Sequence, residues 1–237
     1  MTNHVPEAPE NRSGDYAFLG AEPGSVADAL YLSAADDWRA AINSRFVNEL
    51  LDDTLPDRVL ISYLIQDFKF FNQGIMDHAI ALAPTEEIKA MLRKQSEFFA
   101  NEEAPYFTNF LKVYSVSDEQ YDAAPQTPAN KEYCAYLDKV VNGTWQELIT
   151  ALCCMEWLYL AWAKRTIDAG VVQQVPAHKG WVDLHEGELF RAWTGRLIAL
   201  VNEYASVDGP EADVFRTIVH LERRFFEIGR ASRRERG

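Results

Sequence analysis

Apolar residues that recur at helical spacing constrain the fold of this chain more than any other feature of its sequence. From about Ser25 to Ala231 they repeat at intervals of three and four, and no stretch alternates apolar and polar residues between hairpin turns. Short breakers divide the pattern into roughly eight segments, several longer than about 15 residues. The pattern predicts an all-α protein, a compact helical bundle whose neighbouring helices are antiparallel and joined by short loops.

The predicted breakers contain proline, glycine or polar turn residues. In chain order they are DTLP at 53–56, Pro84-Thr85, PQTPAN at 125–130, Asn142-Gly143, Gly170, PAHKG at 176–180 and Asp208-Gly209-Pro210. Proline interrupts a helix because it lacks an N–H group, and glycine does so because its backbone has excess conformational freedom. We therefore expect a helix boundary at each breaker, and a loop at 176–180.

The two ends of the chain differ from its centre. Residues 1–25 are rich in proline and glycine and poor in large apolar residues, which predicts a flexible N-terminal arm. Residues 26–232 are predicted to form a single helical domain, and residues 233–237 a basic C-terminal tail.

Charge and composition exclude several classes of partner. The 23 Lys and Arg residues against 36 Asp and Glu give a net charge of -13, which argues against nucleic acid because phosphate binding depends on clustered cations. The basic run from Arg223 to Arg236 is interpreted as a solvated helix end. The N-terminal sequence lacks a secretory pattern, and no stretch approaches the roughly 18 apolar residues of a membrane span. We expect a cytoplasmic protein with no membrane partner and with reduced thiols.

Three carboxylates lie on apolar helix faces. Each shares its face with aromatic or aliphatic residues: Asp67 with Tyr63 and with Phe70 or Phe71, Glu156 with Leu152 and Tyr159, and Glu222 with Ile218 and Phe225. A buried carboxylate without partners costs several kcal/mol, so each acid needs either a polar partner on a neighbouring helix or a polar pocket. Because three such acids occur on three helices, we predict that they meet in the core of the bundle.

Histidine spacing argues against a metal in that pocket. Carboxylate-bridged dimetal bundles use Glu-x-x-His on two helices, and none of the five histidines follows an acid at that interval on these faces. We expect no metal and no cofactor. An acid-lined aromatic pocket suits a flat, nitrogen-rich ligand that stacks on rings and donates N–H groups to carboxylates.

Five stretches carry a resemblance to a known family. They are RFVNELLDDTLPDRVLISYLIQDFKFF, TPANKEYCAYL, GTWQELITAL, WVDLHEGELF and LERRFFEIG. In this order, over about residues 28–230, they resemble the motifs of the TenA/THI-4 (thiaminase II) family. The resemblance implies an all-α, haem-oxygenase-like fold, a small-molecule pyrimidine ligand, activity in thiamin salvage and a homo-oligomer, either a dimer or a tetramer.

The resemblance also implies roles for single residues. Asp67 matches the aspartate that binds the pyrimidine amino group and ring nitrogen, and Phe70 matches an aromatic residue that contacts the ring. Tyr133 matches the tyrosine that orients the catalytic group, and Glu222 matches the glutamate that serves as acid and base. The other expected substrate-binding residues are Tyr63, Phe71, Tyr159 and Phe225. His185 stands where a tyrosine is common, so it is either a ligand contact or a loop or core histidine.

The segment ALCCMEWLYLAW indicates the branch of that family. In the cysteine-type branch the nucleophile lies four residues before a tyrosine. If Tyr159 is that tyrosine, Met155 occupies the position of the nucleophile. Cys154 precedes Met155 by one residue and therefore points about 100° away from it round the helix. A Glu-type branch has a glutamate three residues before the tyrosine and a bulky residue after it, as Glu156 and Trp162 do here. We predict that Glu156 and Glu222 hydrolyse a C–N bond in an aminopyrimidine or N-formylaminopyrimidine.

Three alternatives stay open. Cys153 and Cys154 are interpreted as packing residues, but thiaminase-like chemistry returns if Cys154 reaches the ligand. A non-catalytic pyrimidine-binding or regulatory protein would keep the pocket without the chemistry. An oxidative enzyme, or an enzyme for another substrate, could use the same fold.

Overall fold

Helices form all of the regular secondary structure in the part of the chain that the computed structural model describes, residues 4–71 and 74–228 without the side chains of Phe71 and Glu102. A 3-10 turn at Ala17–Leu19 precedes α1, and a π-helical turn at Phe99–Glu103 joins α6 to α7. The helices are α1 Val26–Ser33, α2 Ala35–Ile42, α3 Arg45–Leu51, α4 Asp57–Phe71, α5 Ile75–Leu82, α6 Glu86–Phe98, α7 Ala104–Val113, α8 Asp118–Ala123, α9 Pro128–Val141, α10 Trp145–Ala169, α11 Pro176–Glu186, α12 Glu188–Tyr204 and α13 Pro210–Phe225.

The all-α prediction is confirmed for these residues. The helices are shorter and more numerous than the roughly eight predicted, because three short helices already precede the DTLP breaker. The predicted basic tail at 233–237 lies outside the described residues. None of the described helices has both the length and the apolar character needed to cross a membrane.

Most predicted breakers coincide with helix ends. Thr127 and Thr144 are N-caps whose side-chain oxygens accept hydrogen bonds from backbone amides in the first turn. Gly170 ends α10 with a φ of 63°, a left-handed conformation that glycine adopts without strain. The loop predicted at 176–180 is wrong: this stretch begins α11, because Pro176 occupies the first turn, where a missing N–H group leaves no bond unmade.

The 25-residue helix α10 forms the centre of the molecule. It is apolar on nearly all sides, and it packs against α13, α12 and α11. Cys153 and Cys154 are both fully buried within it. The segment that looked like protein interior in the sequence is therefore the core helix that the other elements surround.

The described part of the predicted N-terminal arm, residues 4–25, packs on the helices. The buried guanidinium of Arg165 donates hydrogen bonds to the carbonyl oxygens of Pro6, at 2.8 Å, and Ile42, at 2.6 Å. The Asp28 carboxylate accepts from the Ser13 hydroxyl at 2.7 Å and from the Gly14 amide at 3.0 Å. The bonds to Pro6 and Gly14 satisfy backbone groups of a segment with little secondary structure. The flexibility of the arm stays a prediction.

Candidate active site

A cavity of about 480 Å³ lies between α4, α5, the π-helical turn, α10, α11 and α13. Its volume is within the range of small-molecule pockets. Six of the residues selected from the sequence line it: Asp67, Phe70, Glu156, Tyr159, His185 and Glu222. Most of its other walls are apolar, formed by Ile75, Met76, Phe99, Leu137, Leu152, Met155 and Trp181.

Three more of the selected residues support this lining from behind. The Tyr133 hydroxyl donates a hydrogen bond to Oε1 of Glu222 at 2.7 Å. The Tyr63 hydroxyl is hydrogen-bonded to that of Tyr159, and the ring of Phe225 packs edge-on against Tyr63 with centroids 5.3 Å apart. The side chain of the remaining candidate, Phe71, lies outside the described residues.

The two sequence motifs QD and TPAN meet in the structure. The buried side chain of Gln66 accepts hydrogen bonds from the Thr127 amide and from the Asn130 side chain, both at 2.9 Å, and it donates to the Pro125 carbonyl at 3.1 Å. These bonds fix the start of α9 against α4. Gln66 therefore has a structural role, while its neighbour Asp67 faces the cavity.

Glu222 is buried with one oxygen unused. Oε1 accepts the bond from Tyr133, whereas Oε2 has no hydrogen-bond partner among the described residues. Burial raises the pKa of Glu222 to about 8, and the bond from Tyr133 opposes this rise. A carboxyl group with a free oxygen at a cavity wall can bind a ligand, and with this pKa it can donate or accept a proton near neutral pH.

The pKa values of Asp67 and Glu156 also differ from those of carboxyl groups in water. Burial raises the pKa of both well above its usual range, and the nearby charge of Glu103 raises both further. The Tyr159 hydroxyl stabilises the charged form of Asp67. The three acids predicted to meet therefore lie at one cavity and interact electrostatically.

Glu103 and the exposed Asp77 are the two acids of the cavity lining that sequence reasoning missed, and Glu103 is the less exposed of them. It lines the cavity from the end of the π-helical turn, and burial raises its pKa to about 7. A signal exists in the sequence, because Leu92, Ser96, Phe99 and Glu103 follow each other at helical spacing. The FANEEAP stretch, however, also has the composition of a charged loop before a proline.

His185 is a cavity residue on a helix, not a loop residue. Its Nδ1 lies 2.8 Å from the carbonyl oxygen of Trp181, which can only accept, so Nδ1 carries the proton. Burial lowers the pKa of His185 to about 4, and the ring is therefore neutral at pH 7 with Nε2 as an acceptor. The cavity thus gains another acceptor and no positive charge from this histidine.

The position of the expected cysteine nucleophile is filled by a cavity-lining methionine, Met155. The neighbouring Cys154 is fully buried, and its sulfur lies 3.6 Å from the backbone oxygen of Phe215. Burial raises the pKa of Cys154 well above its usual range, which disfavours the reactive thiolate. Cys154 is not part of the cavity lining.

Comparison with known proteins assigns the chain to a family. A sequence model of the TENA/THI-4/PQQC family matches residues 33–228. The chain belongs to this family. No protein with a curated description matches it.

Solved structures with low sequence identity share its fold. A TenA homologue from P. horikoshii OT3 is 20% identical over 86% of this chain and 98% of the other, with a TM-score of 0.76. A protein of Silicibacter sp. TM1040, called a TenA family transcription regulator, is 20% identical over 87% and 96%, with a TM-score of 0.77. A protein of Sulfolobus solfataricus P2 called a TenA-like thiaminase is 16% identical over 86% and 95%, with a TM-score of 0.71. The expected haem-oxygenase-like fold of the TENA/THI-4/PQQC family is confirmed.

The buried acids of this family member make its stability depend on pH. Because the pKa values of Glu103 and Glu222 are raised to about 7 and about 8, the folded unliganded protein keeps protons that the unfolded chain has released. We expect the free energy of unfolding to fall as pH rises from about 6.5 to about 8, by at most about 1.4 kcal/mol per pH unit for each group. The low pKa of His185 has the opposite effect only below about pH 6.5.

Denaturant titrations at several pH values within that window would measure this dependence. The Glu222→Gln variant serves as the control, and its unfolding free energy should vary less with pH than that of the wild type. A wild-type stability that rises across the window would contradict the assigned burial of these acids.

Replacing Tyr133 by phenylalanine should change the position and the pKa of Glu222 while the aromatic ring of residue 133 is kept. The hydroxyl of Tyr133 holds Oε1 and lowers the pKa of Glu222, so its loss should raise that pKa further and let the carboxyl group move. We expect kcat to fall roughly 10-fold with little change in KM, and the pH–rate profile to move to higher pH by up to about one unit.

Steady-state kinetics across pH would test this positioning role. Tyr136→Phe, on the same helix and outside the cavity lining, is the matched control and should leave the profile unchanged. An unshifted profile in Tyr133→Phe would show that this hydrogen bond does not tune the reacting group.

Proposed function

We propose that this protein hydrolyses a C–N bond of an aminopyrimidine or N-formylaminopyrimidine derived from thiamin, with Glu156 and Glu222 as its acid and base. The observation that carries the proposal is the meeting of these two acids with Asp67 at one aromatic-walled cavity. Membership of the TENA/THI-4/PQQC family supports a thiamin-related role.

The residues at the nucleophile position favour hydrolysis over thiamin cleavage. Cysteine-type cleavage needs a thiolate that adds to the pyrimidine ring, and the thioether of Met155 cannot form one. Cys154 contacts the Phe215 backbone and does not line the cavity. These two observations support assignment to the Glu-type branch.

In the proposed mechanism, Asp67 accepts hydrogen bonds from the ring amino group while Phe70 contacts the ring. Glu222 is largely protonated at neutral pH and donates its proton to the leaving nitrogen of the N-formyl substrate, whereas the aminomethyl substrate binds with its leaving nitrogen already protonated. Glu156 takes a proton from water in its ionised form, which the ammonium group of the aminomethyl substrate favours because a positive charge lowers the pKa of neighbouring acids.

Water supplies the oxygen atom of the product with either substrate. From an aminomethyl group, the water oxygen bonds to carbon as the C–N bond breaks, which gives an alcohol and ammonia. From a formamide, water adds to the formyl carbon, and the products are formate and the free amine.

Incubation of the purified protein with aminomethylpyrimidine, its N-formyl derivative and thiamin would test the proposal. We expect release of ammonia or formate, and little cleavage of thiamin. Binding of the pyrimidines without any release would instead identify a binding protein, and efficient thiamin cleavage would contradict the carboxylate mechanism. The cytoplasmic location and the homo-oligomer stay predictions.

A further inference from the structure

The cavity contains an acid that the proposed mechanism does not use. Glu103 lines it together with Ser96, Phe99 and Ala100, whereas the reacting acids belong to α10 and α13. No hydrogen bond or ion pair to its carboxylate is formed by the described residues, and burial alone accounts for its raised pKa. A half-buried acid at a cavity wall without a protein partner requires an explanation.

Pro105 explains how the chain presents this side chain. Helical structure continues from Glu86 to Val113, and within it Pro105 lacks an N–H group and its ring crowds the preceding turn. The helix accommodates the proline by widening into the π-helical turn Phe99–Glu103, which ends at Glu103. Such turns are found frequently at functional sites, because they redirect side chains that a regular helix would place elsewhere.

The charges at the cavity are unbalanced. Asp67, Asp77, Glu103, Glu156 and Glu222 line it, and no described lysine or arginine does. The charge of Glu103 raises the pKa of both Asp67 and Glu156, so these groups are close enough to repel each other. In addition, Oε2 of Glu222, a side chain only 2% exposed, has no partner among the described residues. A positively charged ligand would relieve the repulsion and fill the open acceptor positions.

We propose that Glu103 is a specificity-determining residue whose carboxylate binds a positively charged exocyclic amino group of the ligand, and so favours amine-bearing pyrimidines over neutral ones. The inference rests on the proposed function, which supplies the aminopyrimidine ligand. Tyr133 already donates to one oxygen of Glu222, whereas no described group donates to Glu103, so both oxygens of Glu103 can accept hydrogen bonds from the ligand.

Two ligands that differ in one group test the role of Glu103. Aminomethylpyrimidine carries an ammonium group at neutral pH, and hydroxymethylpyrimidine carries a neutral hydroxyl at the same place. Their Kd values can be measured from tryptophan fluorescence before turnover, since Trp181 lines the cavity. For Glu103→Gln we expect roughly 10- to 100-fold weaker binding of the amine, and a change below about 3-fold for the alcohol.

Two further variants control for folding and for general charge. Glu97→Gln removes an exposed acid of the preceding helix and should change neither Kd. Glu103→Asp keeps the charge and should retain part of the preference for the amine. The thermal unfolding midpoint of Glu103→Gln should not fall, because the substitution removes a repelling buried charge.

The outcomes separate the two proposals. Equal weakening of both ligands by Glu103→Gln, or no weakening of either, would overturn the role of Glu103 and leave the proposed function standing. Failure of the wild type to bind either pyrimidine would overturn the proposed function itself, and with it the ligand assigned to Glu103.

Discussion

Replacing Glu222 by glutamine is expected to lower kcat by about 10²- to 10⁴-fold, the usual contribution of a positioned acid or base. The substitution keeps the size of the side chain, and the amide oxygen can still accept the hydrogen bond from Tyr133. What is lost is the proton that a carboxyl group with a pKa of about 8 holds at neutral pH. Initial rates of ammonia or formate release would measure the effect.

The control for Glu222→Gln is Glu227→Gln, which removes an exposed acid five residues further on. It should leave kcat unchanged. Binding of hydroxymethylpyrimidine should survive in Glu222→Gln, because ring recognition is assigned to Asp67 and Phe70. Near wild-type turnover by a folded Glu222→Gln protein would remove Glu222 from the chemistry.

Glu156→Gln is expected to lower kcat by about 10²-fold or more, since no other carboxylate is assigned to activate water. Cys154→Ala should turn over at close to the wild-type rate, because the Cys154 sulfur contacts the Phe215 backbone and does not line the cavity. The pair of variants distinguishes the carboxylate mechanism from a thiolate mechanism on the same helix.

Stability measurements must accompany this comparison. Cys154 is fully buried in α10, so its truncation is expected to lower the free energy of unfolding by about 1 kcal/mol through lost packing. Cys153→Ala, at the adjacent buried position, provides the matched measure of that packing loss. Full activity of Glu156→Gln together with an inactive but folded Cys154→Ala would reverse the assignment.

Much of the fold could be predicted from short-range features of the sequence. A threonine followed directly by a proline, as at Thr127, or by a glutamate three residues later, as at Thr144, marks a helix start because the cap needs only residues within one turn. The same reasoning failed at 176–180, because a proline is compatible both with a loop and with a first helical turn. Local sequence therefore predicts where a helix can begin better than whether one does.

The candidate site could be predicted in part. Asp67, Glu156 and Glu222 are recognisable as unusual because each lies on an apolar face, a property of one helix alone. Tyr133 is different, since its bond to Glu222 joins residues 89 positions apart and depends on how α9 packs on α13. Glu103 also depended on the structure, because the π-helical turn and the cavity that it faces are not visible in a charged stretch before a proline.

The sequence by itself determined that the chain is helical, where most of its helices end and which acids have an apolar environment. Each of these properties depends on contacts within a few turns of one helix, which the spacing of residues encodes directly. Only the tertiary structure decided that α4, the π-helical turn, α10 and α13 bring their acids to one cavity, and that Met155 faces it while Cys154 does not. Such placement results from the packing of segments that are distant in sequence. The order of residues along one helix does not determine how far its side chains lie from those of another helix.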